Sequence, residues 1–295
     1  MLTFDSAVQW LANRYRVLLL KRAVGRGLEI LRYALVHPRG KQRFHVVSAQ
    51  RNMGDVALNC LQSVYDQEYS NDLVRHVFID DASTDDTATL VEAWLRDHPD
   101  HCVEFIRNSE RLGMLANNLK GFRLAEENSV GIELNGDDWL PDRGVLRFLN
   151  KIYSDDEVWM TYNTLRQTDG TVLFQVPPSR AVRRSLAYRK APWLTSHLHT
   201  FRIALYRHVS IDLLTDPLTG ELWDLSQDIA VYLSMLEMAG DHACHIYRIT
   251  CTYHPHAASD HVRDRTAQLA ADRRIRLLTP CRPLESLADH DPARN

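Results

Sequence analysis

The sequence has no C-x-x-C pair, no internal repeat and no low-complexity tract, and its first 41 residues hold no apolar run longer than Val17 to Leu20. A transmembrane helix needs about 20 mostly apolar residues, so this segment is expected not to cross a bilayer. Its apolar core is also too brief for a cleavable signal peptide, and no A-x-A-like site follows. The five cysteines, Cys60, Cys102, Cys244, Cys251 and Cys281, are odd in number and scattered. That placement argues against a disulfide framework and for reduced, buried thiols, with a cytoplasmic address as the expectation. No nucleic-acid-binding module is recognisable.

What is present starts with size. A chain of 295 residues with 45% hydrophobic content can bury one large core, which suits one main domain with additions. The net charge of −3 hides an asymmetry, because residues 1–41 carry eight Lys or Arg against Asp5 and Glu29. Val8, Leu11, Tyr15, Leu18, Leu19, Leu28, Leu31 and Leu35 recur among those cations at near-helical spacing. One or two amphipathic helices are expected, bent near Gly25 to Gly27 and ended by Pro38-Arg39-Gly40. Three uses fit this basic extension. Its apolar stripe can pack on the rest of the chain or on a second subunit in a homodimer, it can attach peripherally to an anionic membrane, or it can steer the protein to a polyanionic partner.

Beyond residue 41 a rhythm begins. Phe44 to Ser48 reads as a strand and is followed by a helix-period segment with Ala57, Leu61, Val64 and Tyr65 on one face. Val74 to Ile79 and the helix carrying Leu90, Val91, Trp94 and Leu95 repeat the unit. Val103 to Ile106, a helix ending near Glu127 and the Val130 run continue it. Strands alternating with helices imply an α/β fold with a largely parallel sheet, and ligands in such sheets bind beyond the carboxyl ends of the strands. Polar clusters follow at Ser48, Asp80 and Asp137, hence on one edge. Asp137 and Asp138 stand side by side at the end of the Val130 run, an arrangement that suits a divalent ion carrying a diphosphate or, equally, a helix cap.

Four separated segments over residues 44–142 resemble the motifs of the family 2 glycosyltransferases with the GT-A fold. Ser48-Ala49-Gln50-Arg51-Asn52 looks like the first loop, and Asp80-Asp81-Ala82-Ser83-Thr84-Asp85 is similar to the DDxSxD element. Asn108 through Asn118, with Arg111, Gly113 and Asn117, resembles the third motif, and Asn135-Gly136-Asp137-Asp138 stands in place of the acidic metal-binding motif. The resemblance implies that Ser48, Gln50, Arg51, Asn52, Asp80, Asp81, Asn108, Arg111, Gly113, Asn117 and Asp137 contact a nucleotide. Asp81 can accept the imide N–H of uracil and Arg111 can pair with phosphate, although a turn and a solvated surface charge are the plain alternatives. Asn135 departs from the family, which commonly has Asp there, and brings no charge to a metal. Asp137 is then the positional match for the second acid, with Asp138 as helper and Mn2+ or Mg2+ as the implied cation.

In the second half, Asp169-Gly170 favours a tight hairpin between Val158 to Gln167 and Thr171 to Val176, an antiparallel pair expected to extend the sheet. A basic and aromatic stretch with Arg183, Arg184, Tyr188, Arg189, Lys190 and Trp193 reads as a loop draped on the core or an acceptor contact. The resemblance places the catalytic base at Asp228, with capping of the next helix as its plain alternative and Asp224 as the fallback. Under the same alignment Tyr253-His254-Pro255-His256 matches a Y-x-x-H ending, so His256 is the implied remaining metal ligand, with His254 as substitute. Trp193, His199, Trp223 and Asp224 are candidates for the acceptor cleft.

The domain division expected is a basic helical extension over 1–41, a GT-A-like domain over 42–282 with its nucleotide half ending at 142 and its acceptor half beginning at 143, and a loose tail over 283–295. The activity implied is inverting, metal-assisted transfer from a nucleoside-diphosphate sugar, UDP favoured, to a glycan, lipid, protein, small-molecule or modified-nucleobase acceptor. Binding of the sugar nucleotide without transfer, or its hydrolysis, are the alternatives. A nucleotidyltransferase would show a G-x-G phosphate loop after the first strand, and Ser48 to Gly54 has none.

Overall fold

The computed structural model describes residues 23–38, 40–100, 102–173, 177–193, 195, 197–255 and 264–288. Its centre is a seven-stranded sheet in the order β3-β2-β1-β4-β8-β5-β9. The first four strands in the chain are β1 (Phe44–Gln50), β2 (Val74–Asp80), β3 (Val103–Arg107) and β4 (Val130–Glu133), all parallel. The helices between them are α2 (Val56–Tyr65), α3 (Thr87–Asp97) and α4 (Met114–Arg123), preceded in the chain by α1 over residues 23–34. α5 (Val145–Tyr153) leads to β5 (Met160–Asn163).

The hairpin around Asp169-Gly170 forms, with β6 (Leu165–Gln167) antiparallel to β7 (Val172–Leu173), but it does not extend the main sheet. Only β5 does so. β6 and β7 instead join a separate three-stranded sheet with β10 (Thr252–Tyr253), because the chain leaves the main sheet at Thr164. The short helices α6 (Arg180–Ser185), α7 (Ile203–Arg207) and α8 (Ile211–Leu214) follow, with β8 (His199–Arg202) between the first two. β8 runs antiparallel to both β4 and β5, and β9 (Ala243–Ile246) runs parallel to β5. The carboxyl ends of β1, β2, β4, β5 and β9 therefore share one edge.

Alternation along β1 divides the core. Val47 and Ala49 face α4 and α9 (Gln227–Ala239), while Phe44 and Val46 face α2 and α5. α9 is buried at every position from Ile229 to Ala239, which explains why its apolar residues run all round rather than along one stripe. α10 (Arg265–Leu277) packs beyond it. Arg189 joins these layers, donating from Nε and one terminal nitrogen to Glu237 at 2.7 and 2.9 Å and from the other to Ile275 O at 2.7 Å. Both side chains of the pair are nearly solvent-free. From 283, where a loose tail is expected, the described residues still pack: Leu284 N–H donates to Met238 O, and Leu284 and Leu287 lie against the core.

α1 packs in the opposite sense to the apolar stripe expected from its sequence. Its inward residues are Glu29 and Tyr33, and Leu28, Leu31 and Leu35 are 62%, 68% and 82% exposed. The Glu29 carboxylate accepts the N–H groups of Tyr247 and Arg248 at 2.8 and 2.9 Å. Tyr33 meets Phe148 edge-on, and Gly25 lies so close to the Tyr247 ring that a Cβ there would enter it. The polar anchor, not the leucines, fixes the helix. The leucine-rich stripe therefore does not pack on the rest of the described chain, and residues 1–22 lie outside the described residues.

Breaking one half of the buried Arg189–Glu237 pair should cost about 3–5 kcal/mol, because the remaining charge has no water. Chemical denaturation of Arg189→Met is expected to show that loss, and the double variant Arg189→Met/Glu237→Met is expected to recover most of it.

Candidate active site

Period-two alternation continues past the end of β4 and builds one wall of a cleft. Leu134 N–H donates to Val47 O and Gly136 N–H to Ala49 O, so the chain stays paired with β1 through residue 136. Glu133, Asn135 and Asp137 consequently share one face, and all three line a cleft of about 630 Å³. Leu134 and Asp138 point the other way and are buried. Gly136 is required by the close pairing, since a Cβ there would stand 2.6 Å from Gln50 Cβ.

The end of β1 supplies Gln50, Arg51 and Asn52, all on the cleft wall. Arg51 Nε donates to Ala82 O at 3.3 Å, and Asn52 N–H donates to Ser83 Oγ at 2.9 Å, so the two loops hold each other. Asp81 follows β2 and lines the same cleft. Its Oδ1 accepts from Asn108 Nδ2 at 2.9 Å and Leu112 N–H at 2.8 Å, and its Oδ2 accepts from Gly113 N–H at 2.9 Å. Partial burial works to raise this carboxyl, but the donors, Asn117 and Leu112 first among them, hold it below its ordinary range. Arg111, Gly113 and Asn117 complete that side.

Several expected contacts stand behind the wall rather than on it. Ser48 is buried, its Oγ bonded to His76 Nε2 at 2.9 Å and near Cys60 Sγ at 3.3 Å. Asp80 accepts from Gln50 Nε2 at 3.0 Å and from Ser83 N–H and Oγ, so it shapes the loop. Asn108 positions Asp81 and also bonds Asn117 Oδ1 at 2.7 Å. Asp138 accepts His254 N–H at 2.9 Å with one oxygen, while the other is buried with no hydrogen-bond partner. Burial, and then the neighbouring Asp137, push Asp138 well above the usual carboxyl range, and its side chain braces the wall from behind rather than lining the cleft. His256 lies outside the described residues.

The second half brings Asp224, Gln227 and Asp228 to the cleft from the start of α9, with Tyr253 and His254 from β10 and its end. Three candidate acceptor residues are not on its wall. Trp223 is buried and donates from Nε1 to Leu213 O at 3.2 Å, because the loop before α9 turns it into the core. His199 is buried and stacked on Tyr232 at 3.5 Å between ring centres, and Trp193 packs against the same core.

Glu133 and His197 also line the cleft, and Glu133 was not singled out by sequence. Glu133 could have been found from its spacing, two residues before Asn135 on a strand. Burial pushes Glu133 up to about 7 despite the Tyr232 hydroxyl that donates to it, and the Asp228 charge adds to the rise. Burial holds His197 below its ordinary value, opposed by Asp137.

The charge balance bears on a metal. Described lining residues bring five carboxyl groups, Asp81, Glu133, Asp137, Asp224 and Asp228, against two guanidinium groups, Arg51 and Arg111. A wall with this excess of carboxyl groups suits a cation. Among the described residues no three His, Cys, Asp or Glu side chains gather as a cage. The donor set fits an ion held by one carboxylate together with phosphate oxygens, the manner usual for Mg2+.

Residues 46–214 match the family profile described as Glycosyl transferase family 2. Among solved structures, S. aureus TarS 1-349 in complex with UDP-GlcNAc is similar over 72% of this chain at 14% identity and a TM-score of 0.56. The match covers 59% of that TarS chain. The mannosyltransferase PcManGT from Pyrobaculum calidifontis, in complex with GDP-Man and Mn2+, is similar over 92% of this chain and 81% of its own at 21% identity and a TM-score of 0.53. GalNAc-T7 with UDP, GalNAc and Mn2+ matches 74% of this chain and 44% of its own at 13% identity and a TM-score of 0.51. No curated protein sequence matches the chain.

The raised Glu133 carboxyl has a stability cost with a defined sign. Its pKa is about 7 in the fold against 4.5 ordinarily, so its contribution is complete below pH ~4.5 and is lost as pH rises through about 7. Thermal unfolding across pH 4 to 9 is expected to show wild type losing on the order of 3 kcal/mol relative to Glu133→Gln over that window, with no further divergence above it.

Proposed function

We propose, because this chain belongs to glycosyl transferase family 2, that its cleft moves a sugar from a nucleoside-diphosphate sugar, with UDP the favoured carrier, to an acceptor hydroxyl with inversion at the anomeric carbon. The observation that supports this most is the meeting of Asp81, Arg51, Arg111, Asp137 and Asp228 on one cleft at the carboxyl edge of the sheet. These residues come from five separate stretches of sequence.

Asp81 is held by donors of the loop after β3 and still lines the cleft. Its carboxylate would accept the imide N–H of uracil. Arg51 and Arg111 pair with diphosphate oxygens on leaving. Asp137 would hold Mn2+ or Mg2+ jointly with those oxygens, with Asn135 beside it as a neutral donor and His256 as the third contact that the family resemblance implies. Such an ion, when bound, neutralises the charge that grows on the departing diphosphate.

Asp228 takes the proton of the acceptor hydroxyl as the new carbon–oxygen bond forms and the bond from the anomeric carbon to the phosphate oxygen breaks. Glu133, neutral below about pH 7, adds no second charge beside that base. Asp224 and His197 lie on the same cleft and are placed to orient an acceptor. The acceptor is a hydroxyl of a glycan, lipid, protein or modified nucleobase. A cytoplasmic enzyme fits the reduced cysteines, and among the described residues no helix is long and apolar enough to cross a membrane.

Thermal-shift measurements with UDP, GDP and their sugar conjugates, each with and without Mn2+, test the donor and the shared ion together. UDP with Mn2+ is expected to stabilise the protein, and Mn2+ alone is not. Asp137→Ala should lose that stabilisation along with transfer. Asp228→Asn should keep nucleotide binding while transfer drops by ~10²-fold or more. Equal nucleotide stabilisation of Asp137→Ala and wild type, or full turnover by Asp228→Asn, would overturn these assignments.

A further inference from the structure

The outer face of α1 is apolar across its whole breadth, and we propose that it docks this protein on the surface of an anionic lipid bilayer. At about 100° per residue, Ile30, Ala23, Ala34, Leu31, Val24 and Leu28 fall in that order over an arc of about 160°, and Leu35 follows directly after the helix. The large members are exposed: Val24 by 53%, Ile30 by 59% and Leu28, Leu31 and Leu35 by more. A contiguous apolar surface of this kind on a folded chain marks a contact with something apolar.

The margins say what that something is. Arg26 and Arg32 flank the arc on its two sides, and both are exposed. The helix's acid, Glu29, is turned inward onto the N–H groups of Tyr247 and Arg248. Arg32 lies 3.4 Å from the Asp155 carboxylate, and both partners of that pair remain half-exposed. Two copies of α1 packed on each other would set arginine against arginine with no acid on the outer face to relieve them. Residues 1–22 would meet the same conflict if laid on it, since they carry Arg14, Arg16, Lys21 and Arg22 against Asp5. An anionic leaflet takes both features, burying the apolar arc between acyl chains while the arginines reach the headgroups.

This inference does not depend on the donor or the base assigned to the cleft. Flotation of the full chain with phosphatidylcholine vesicles, with and without phosphatidylglycerol, tests it. The protein is expected to float only with the anionic vesicles, and the floated fraction should fall at least about tenfold when salt is raised from ~0.05 to ~0.5 M. Leu28→Gln/Leu31→Gln/Leu35→Gln should abolish flotation with an unchanged unfolding temperature, because those side chains are exposed and glutamine keeps helix propensity. Arg26→Glu should weaken it. The proposal is overturned if wild type stays unfloated with the anionic vesicles or if the triple variant floats like wild type. It is equally overturned if light scattering finds a lipid-free dimer that the triple variant converts to monomers.

Discussion

Asp81 ties together the parts of the cleft that are farthest apart in sequence. Its carboxylate stands at the end of β2 and holds the N–H groups of Leu112 and Gly113 and the amide of Asn108, which belong to the loop after β3. An ionised group this poorly solvated is tolerable only because its donors replace water, and the same donors fix the loop that carries Arg111. The carboxylate is thus held in one orientation on the cleft wall by the fold itself. Behind it, Asp80 binds Gln50 and Ser83 and so locks the first and second loops to each other. Of two adjacent aspartates, one builds the loop and the other faces the cleft.

The same division recurs at Asp137 and Asp138. Continued pairing with β1 makes their stretch of chain a strand in all but name, and a strand sends neighbours to opposite sides. Asp137 reaches the cleft, and Asp138 goes under it to accept the backbone N–H of His254. Burial and the adjacent charge then favour its protonated form. A pair that looks alike in sequence is divided by the fold, with one side chain on the cleft wall and the other bracing it from behind.

Much of this was legible in the sequence because short-range chemistry set it. Alternating apolar runs and helix-period segments gave the four parallel strands and their order of appearance, and the polar clusters after them gave the edge where the cleft lies. Arg51, Asp81, Arg111, Asp137 and Asp228 do line it. Burial of Ser48, the inward turn of Trp223 and the stacking of His199 on Tyr232 were not legible, since each follows from which face of an element meets the core. The hairpin was read correctly as a hairpin, but its partner strand, β10, lies some 80 residues away in sequence and no local signal announces that pairing. The leucines of α1 misled for a related reason. Periodicity shows that a helix has an apolar side without showing whether that side faces the protein.

Glu29 gives that helix a further significance. By serving as acceptor for Tyr247 and Arg248 it finishes the backbone bonding of the stretch between β9 and β10, just ahead of the cleft residues Tyr253 and His254. A shortened chain beginning after residue 41 would expose two amides that have lost their carboxylate, and the segment that props His254 on Asp138 would be free to wander. The N-terminal helix is accordingly a structural support of the segment that leads into the cleft wall.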